Sequence, residues 1–346
     1  MNTPKVAIIV CTYNMAKYLP ESLDSIFALR YPNFEVVVVD DGSTDGTEEL
    51  VKRGYSQRVI YLHQENRGLP AARNAGIAAI SDAGYYSIMD ADDKVHPLKI
   101  WDEVALLERF ADVAICFSNS LIFGKDPREN RPLKNGLNLI GLDKLWGRVE
   151  NPIEKIAKYE AYTAHSTIRA TAMHAVGGYD ENQKFAEDLD LAIRLTRVGK
   201  IGFINKLRYL HRKQGQGMTV YMKDNIVYQM QIFESIRQNS GAYSDEEMKL
   251  LRQKEKSLLL NALKDIASAR ADSKLYDFVV GRFSRDATWE ERTQIRLMKF
   301  VMLTRTGKAI AKWKDWRRRR LWATAKMPSP EEVLADMSPC FDSVVP

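Results

Sequence analysis

Three acidic clusters stand where one local pattern gives way to another. Asp40-Asp41-Gly42-Ser43 follows the apolar run Val36-Val37-Val38-Val39, Asp90-Ala91-Asp92-Asp93 follows Tyr85-Tyr86-Ser87-Ile88-Met89, and Glu187-Asp188 opens the helix-period stretch 189–195. Carboxylates are costly beside buried strands, so their recurrence at apolar strand ends implies convergence on something cationic or polar. Asp90, Asp92 and Asp93 offer the hard oxygens that Mg2+ or Mn2+ takes while also holding diphosphate oxygens. A solvated turn whose Asp93 caps a helix starting near Pro97 is the plainer alternative for that cluster. Arg67 and Arg73 flank Gly68-Leu69-Pro70-Ala71-Ala72, small residues that let backbone approach a ligand closely. Two arginines beside a diphosphate read as anion contacts, with Arg73 the stronger of the two.

The elements that must position these residues are legible in the periodicity. Short β-rich apolar runs at 5–11, 34–39 and 58–62 each precede helix-period stretches, near 17–29, 47–53 and 70–81. Such alternation predicts an α/β fold with a mostly parallel sheet covered on both faces. Ligands of such sheets bind outside the carboxyl ends of the strands, where Thr12, Tyr13, Asn14, Asp41 and Asp90 all fall. Asp45 with Glu48 reads as a helix N-cap and capping box. That reading leaves Asp41 unexplained, and its carboxylate could accept the imide N–H of a uracil or thymine ring. Tyr13 could pack on the same base or serve as ordinary packing. Residues 124–160 are polar and irregular, with Pro127, Pro132 and Pro152, and interrupt the βα rhythm between strand-like runs 113–123 and 162–168. Beyond about 219 the pattern is helical, including 221–238 and 245–269, which sets a boundary near 220 between residues 1–220 and 221–346.

Six segments now stand in a recognisable order: residues 5–14, Val39-Asp40-Asp41-Gly42-Ser43, residues 66–76, Asp90-Ala91-Asp92-Asp93, Gly177-Gly178-Tyr179-Asp180-Glu181 and Glu187-Asp188-Leu189-Asp190. In this order they resemble the family 2 glycosyltransferases over residues 4 to about 220. The resemblance implies a GT-A doubly wound mixed sheet of the nucleotide-diphospho-sugar transferase type, followed here by an α-helical C-terminal region. It also implies a nucleotide-sugar donor, a Mn2+ or Mg2+ cofactor, inversion at the anomeric carbon, and a saccharide or lipid-linked acceptor. By the same resemblance Asp92 is the metal ligand, Asp90 lies nearer the ribose, Asp41 meets the base, residues 124–160 lie beside the acceptor, and Asp188 is the general base. Many members carry a histidine a few residues before a Ser/Thr at the end of the domain. Here Gln214 falls at that position and His211 stands three residues early, so either His211 ligates through a shifted loop or Asp92 and the diphosphate hold the metal. His63, His96, His165 and His174 read as structural or exposed. A catalytically silent nucleotide-sugar-binding scaffold acting through its C-terminal tail is the rival reading.

The composition places charge in that tail. Residues 289–326 hold twelve Lys or Arg against Glu290, Glu291 and Asp315, a surplus of nine, while the rest of the chain has 39 basic and 42 acidic side chains. With Trp313, Trp316 and Trp322 among the cations, this segment reads as an interfacial helix for an anionic membrane surface, or as a hairpin packed on the catalytic region with a wet basic face. No nucleic-acid module accompanies it, so no nucleic-acid partner is expected. Cys11, Cys116 and Cys340 are odd in number and irregular in spacing, which argues against a disulfide framework or zinc site. No leader segment or stretch near 20 apolar residues is apparent, so the expected location is the cytoplasm, with peripheral contact at its membrane face.

Overall fold

The computed structural model describes residues 3–124, 131–132, 145–158, 165–213, 222–269, 279–282, 292 and 330–336. Strand β1 (Val6–Thr12) is buried at every position, as a central strand covered on both faces must be. It pairs in parallel with β2 (Phe34–Asp40) on one side and β4 (Tyr85–Asp90) on the other, and β2 pairs in parallel with β3 (Ile60–His63). The remaining strands are β5 (Lys94–Val95), β6 (Val113–Phe123), β7 (Arg131–Pro132), β8 (Trp146–Val149), β9 (Ser166–Arg169) and β10 (Lys200–Arg212). Their order is β3-β2-β1-β4-β9-β6-β10-β5, with β7 on β6 and β8 on β10.

The sheet is mixed. The expected parallel rule holds for β1 to β4 and for β6 with β10, but β9 enters antiparallel to both β4 and β6, and β5 antiparallel to β10. Within 124–160, read as irregular, β8 pairs with β10 and α5 (Pro152–Lys158) is helical; the other residues there lie largely outside those described.

Alternation along β1 divides the packing. On one side Val6, Ile8 and Val10 join a core with Leu19, Leu23 and Ile26 of α1 (Leu19–Phe27), whose spacing is one helical face. On the other, α3 (Leu69–Ala79) seats through Gly76, where a Cβ would stand 2.5 Å from Ile9 Cγ2. The outer helices are α2 (Thr47–Gly54), α4 (Lys99–Arg109), α6 (Ala170–Ala175) and α7 (Glu187–Leu195). A fully buried pair, Lys99 Nζ to Glu103 Oε2 at 2.6 Å, anchors α4. Glu103 also accepts hydroxyl hydrogen bonds from Ser118 of β6 and Thr167 of β9, so one side chain joins three elements.

Register decides which residues meet. Thr12 stands beside Asp40 and Cys11 beside Asp90, so the ends of β1, β2 and β4 form one carboxyl edge. Because β9 runs the other way, with Thr167 opposite Ser87, it is the amino end of β9 that reaches this edge.

The chain divides into two compact units, Met1–Gly217 with Pro328–Pro346, and Met218–Met327. In the first, α10 (Pro330–Ala335) packs on β10 with Val333 buried, and Arg208 donates to the Asp336 carbonyl at 3.5 Å. In the second, α8 (Met222–Gln238) packs on α9 (Asp245–Ala269), joined by Arg237 to Glu255 at 2.7 Å. The basic segment 289–326 lies outside the described residues apart from position 292. No helix among the described residues is long and apolar enough to cross a membrane.

Candidate active site

At the β1 and β2 ends two adjacent aspartates divide the work. Asp40 is fully buried and closes the turn by accepting the Ser43 N–H at 2.8 Å and the Tyr61 hydroxyl at 2.6 Å. Asp41 looks outward along the edge. Its Oδ1 accepts from the Gln64 side chain (2.7 Å) and the Arg67 N–H (2.9 Å), and its Oδ2 from the Gly68 N–H (2.9 Å). Asp41 thereby straps residues 64–68 across the end of β2, and its own N–H donates to the Thr12 carbonyl at 2.9 Å. Thr12 is buried, Tyr13 beyond it is 49% exposed, and Asn14 accepts the Thr44 N–H on its side chain at 2.8 Å. The expected capping box is absent: Gly46 occupies the N-cap of α2, Asp45 receives the N–H groups of Ala16 and Thr47, and Glu48 pairs with Lys52 instead.

Deeper in the edge, Arg73 of α3 joins two acids. The residue is 1% exposed, and its guanidinium donates to Glu187 Oε1 at 2.7 Å and to Asp90 Oδ1 at 3.3 Å and lies 5.1 Å from the Tyr179 ring centroid. Arg73 is thus occupied by carboxylates rather than open to solvent, and it holds the head of α7 against the end of β4. Its neighbour Asn74 clamps the Gly177-Gly178 turn, donating to the Tyr179 carbonyl and accepting the Tyr179 N–H, both at 2.9 Å. Arg67, the other arginine of that segment, pairs with Glu181 at 2.7 Å. Asp188 sits half-buried at the head of α7 and accepts its neighbour Leu189 N–H at 2.8 Å. Burial, and then the charge of Glu187, push its pKa up to about 7.

The third group combines carboxylates with imidazoles. Asp93 does not cap α4, whose N-cap is Leu98 without a side-chain bond. It is fully buried and accepts the Arg212 N–H on Oδ1 at 2.7 Å, while Oδ2 stands 3.1 Å from His211 Nδ1 and 3.3 Å from His165 Nε2. His165 Nε2 is also 3.4 Å from Asp90 Oδ2, and its ring stacks on Tyr209 at 4.0 Å. Burial opposes the charge of Asp93, but His211 and His165 outweigh it and hold its pKa below the carboxylate range. Burial likewise opposes protonation of His165, yet Asp90 and Asp93 raise its pKa to about 9. Asp93, His165 and His211 offer ligand atoms all within 4.8 Å of one another, a group that does not include Asp92. The Asp92 carbonyl accepts from Arg212 Nε at 2.7 Å, which staples the acidic turn to the end of β10. A carboxylate and two imidazoles converging at this spacing fit a divalent transition ion.

His165, read from the sequence as structural or exposed, is instead buried at the centre of this group. Nothing in its local sequence marks it; the antiparallel entry of β9 carries it there. Backbone strain gives an independent sign of the same region. Among the described residues, the non-glycine positions with positive φ are Asn14 (55°), His165 (73°) and Ala186 (57°), each adjoining one of the three acidic groups. Such conformations cost about 1–3 kcal/mol and persist at ligand-binding edges.

Residues 7–173 match the family described as Glycosyl transferase family 2. An uncharacterized glycosyltransferase of Rickettsia prowazekii (strain Madrid E) is 30% identical over 205 residues, covering 58% of this chain and 61% of that protein, so the match spans about three fifths of the relative's length. Among solved structures, S. aureus TarS 1–349 in complex with UDP-GlcNAc matches with a TM-score of 0.64 at 18% identity, over 88% of each chain. Mannosyltransferase PcManGT from Pyrobaculum calidifontis in complex with GDP-Man and Mn2+ matches with a TM-score of 0.55 at 18% identity, over 88% of this chain and 87% of that one. At such identities the structural likeness establishes the fold.

Proposed function

From the premise that this chain belongs to glycosyl transferase family 2 and carries the GT-A fold, we propose that it is an inverting, metal-dependent transferase moving a sugar from a UDP-sugar to a hydroxyl of a saccharide or lipid-linked acceptor. The observation that carries this reading is the Arg73 bridge, which sets the α7 head with Asp188 against Asp90 at the end of β4. Among the described residues Asp41 Oδ2 accepts one hydrogen bond, from the Gly68 N–H, and a second lone pair of that oxygen suits an imide N–H. The UDP-GlcNAc named with the S. aureus structure supports a uracil base. Tyr13 offers its exposed ring to that base, and Thr12 and Asn14 shape the same edge. Asp93, His165 and His211 would hold Mn2+ or Mg2+, with Asp92 of the same turn the further ligand that the family resemblance implies; when bound, the ion supplies a Lewis acid against the charge gathering on the departing diphosphate.

In this reading the acceptor hydroxyl gives its proton to an Asp188 oxygen as its own oxygen forms the new bond to the anomeric carbon. The bond from that carbon to the diphosphate breaks on the opposite face, and one displacement inverts the stereochemistry. A pKa about 7 suits Asp188 to this task, since a base works best near the operating pH. The test is a panel of UDP-sugars with Mn2+, read as release of UDP. UDP release from at least one sugar is expected; thermal stabilisation by a UDP-sugar with no release from any of them favours the silent scaffold.

A further inference from the structure

We propose that Asn74 is a positioning residue for the proposed transfer: through the Gly177-Gly178 turn it fixes the tilt of α7, and with it the place of Asp188. The proposal rests on the transferase reading above and adds a residue that acts through its neighbours. The Asn74 side chain spends its amide on the backbone of one residue 105 positions away, accepting the Tyr179 N–H on Oδ1 and donating from Nδ2 to the Tyr179 carbonyl, both at 2.9 Å. A neighbouring antiparallel strand offers a residue the same two bonds, so the direction of the chain at Tyr179 is fixed as well as its distance. The second Nδ2 proton goes to Glu181 Oε1 at 3.2 Å. Both donors of the amide are thereby used.

The turn that Asn74 holds is gripped from its other side by α7 itself. Arg194, in the last turn of that helix, donates through Nη1 to the Val176 carbonyl at 2.8 Å and to the Gly178 carbonyl at 2.7 Å, while its Nε bonds Asp190 at 2.9 Å. Arg73, next to Asn74 in α3, reaches the first turn of α7 through Glu187 at 2.7 Å. Two adjacent residues of α3 thus serve both ends of a nine-residue helix, about 13 Å long at 1.5 Å per residue. An attachment at Glu187 alone would leave the tilt of α7 to its apolar packing; the second attachment sets it. The contact is close enough to need glycine, since a Cβ on Gly178 would stand 2.8 Å from Asn74 Oδ1 and the residue has φ +73°. Ala186, immediately before α7, is held at φ 57°, a strained backbone that persists where its surroundings over-determine it.

Moving a catalytic group by about 1 Å can cost on the order of 10²-fold in rate. The experiment compares wild type, Asn74→Ala and Asn74→Asp as full-length proteins, well below their melting temperatures. The aspartate keeps the shape and the acceptor for the Tyr179 N–H but loses both donors. Steady-state UDP release from a UDP-sugar with Mn2+, calorimetric UDP affinity and amide hydrogen exchange are read together. Expected in each variant are a kcat about 10²-fold lower, UDP affinity within about threefold of wild type, and faster exchange over residues 176–195. A kcat within about threefold of wild type overturns the proposal whatever the change in melting temperature, and so does unchanged exchange over 176–195. If Asn74→Ala fails to fold, Asn74→Asp decides. A wild type that releases UDP from no UDP-sugar removes the transferase reading, and exchange over 176–195 still decides whether Asn74 holds α7.

Discussion

Asp188 is the residue on which the proposed chemistry turns. Its carboxyl is half-buried beside Glu187, which lifts its pKa to about 7. The base form therefore predominates above that pH, and turnover is expected to rise with pH through about 7 and to fall away below it. Asp188→Asn keeps the shape and removes the proton acceptor, so kcat is expected to fall about 10²–10⁴-fold while donor affinity stays near wild type. Steady-state kinetics with a calorimetric donor titration check both, and turnover within a few-fold of wild type would move the base to another residue. Stability should shift the opposite way. An acid whose folded pKa is raised weakens the fold once pH exceeds its unfolded value near 4. Asp188→Asn is therefore expected to melt at or above the wild-type temperature at pH 8 without donor, which thermal unfolding measures. Arg73 makes the complementary case, because its type and setting suggest a diphosphate contact, while its geometry ties it to Glu187 and Asp90. Residue type indicates charge; the partners of a buried charge depend on strands and helices distant in the chain.

Among the elements, the parallel strands were legible because each buried run was short, apolar and followed by a helix-period stretch. That pattern located Thr12, Asp41 and Asp90 at one edge through β1, β2 and β4. The antiparallel strands were not legible, since direction in a sheet leaves no mark on local periodicity. For β9 this hid His165, which arrives at the edge from the amino end of its strand. Asp93 could be read two ways, as a metal-ligating oxygen or as a helix cap, and only the end of β10 shows that its oxygens serve Arg212 and two histidines. The helices 222–238 and 245–269 matched their periodic stretches closely, because an amphipathic period is a local signal. Glu103 tests how firmly the elements are joined. It is buried with Lys99 and bonded by Ser118 and Thr167. Glu103→Ala strands a buried ammonium and two hydroxyls, so a loss of about 3–5 kcal/mol is expected in urea unfolding. A loss under about 1 kcal/mol would mean that α4 is held by its apolar face alone.

For the whole molecule, the chain's path matters more than a boundary near residue 220. It leaves the first unit at Gly217 and returns at Pro328, and α10 then packs on β10, the strand that ends in His211 and Arg212. A charge on that buried face should loosen the first unit, so Val333→Asp is expected to lower the melting temperature and weaken metal-dependent nucleotide binding. Unchanged melting would make α10 dispensable. Residues 289–326, outside the described structure apart from position 292, carry the nine-charge basic surplus with Trp313, Trp316 and Trp322. Each cation near an anionic leaflet contributes on the order of 1 kcal/mol, so we expect the full-length protein to co-sediment with anionic liposomes at low salt and to be released at high salt. Failure to sediment would favour the packed hairpin. The central claim, a metal-bound nucleoside diphosphate at the carboxyl edge of this sheet, is tested most directly by calorimetric titration of UDP into the full-length protein in Mn2+ and in EDTA. Binding in Mn2+ that disappears in EDTA and is greatly weakened by Asp92→Asn is the expected result; equal UDP affinity in Mn2+ and in EDTA would contradict it.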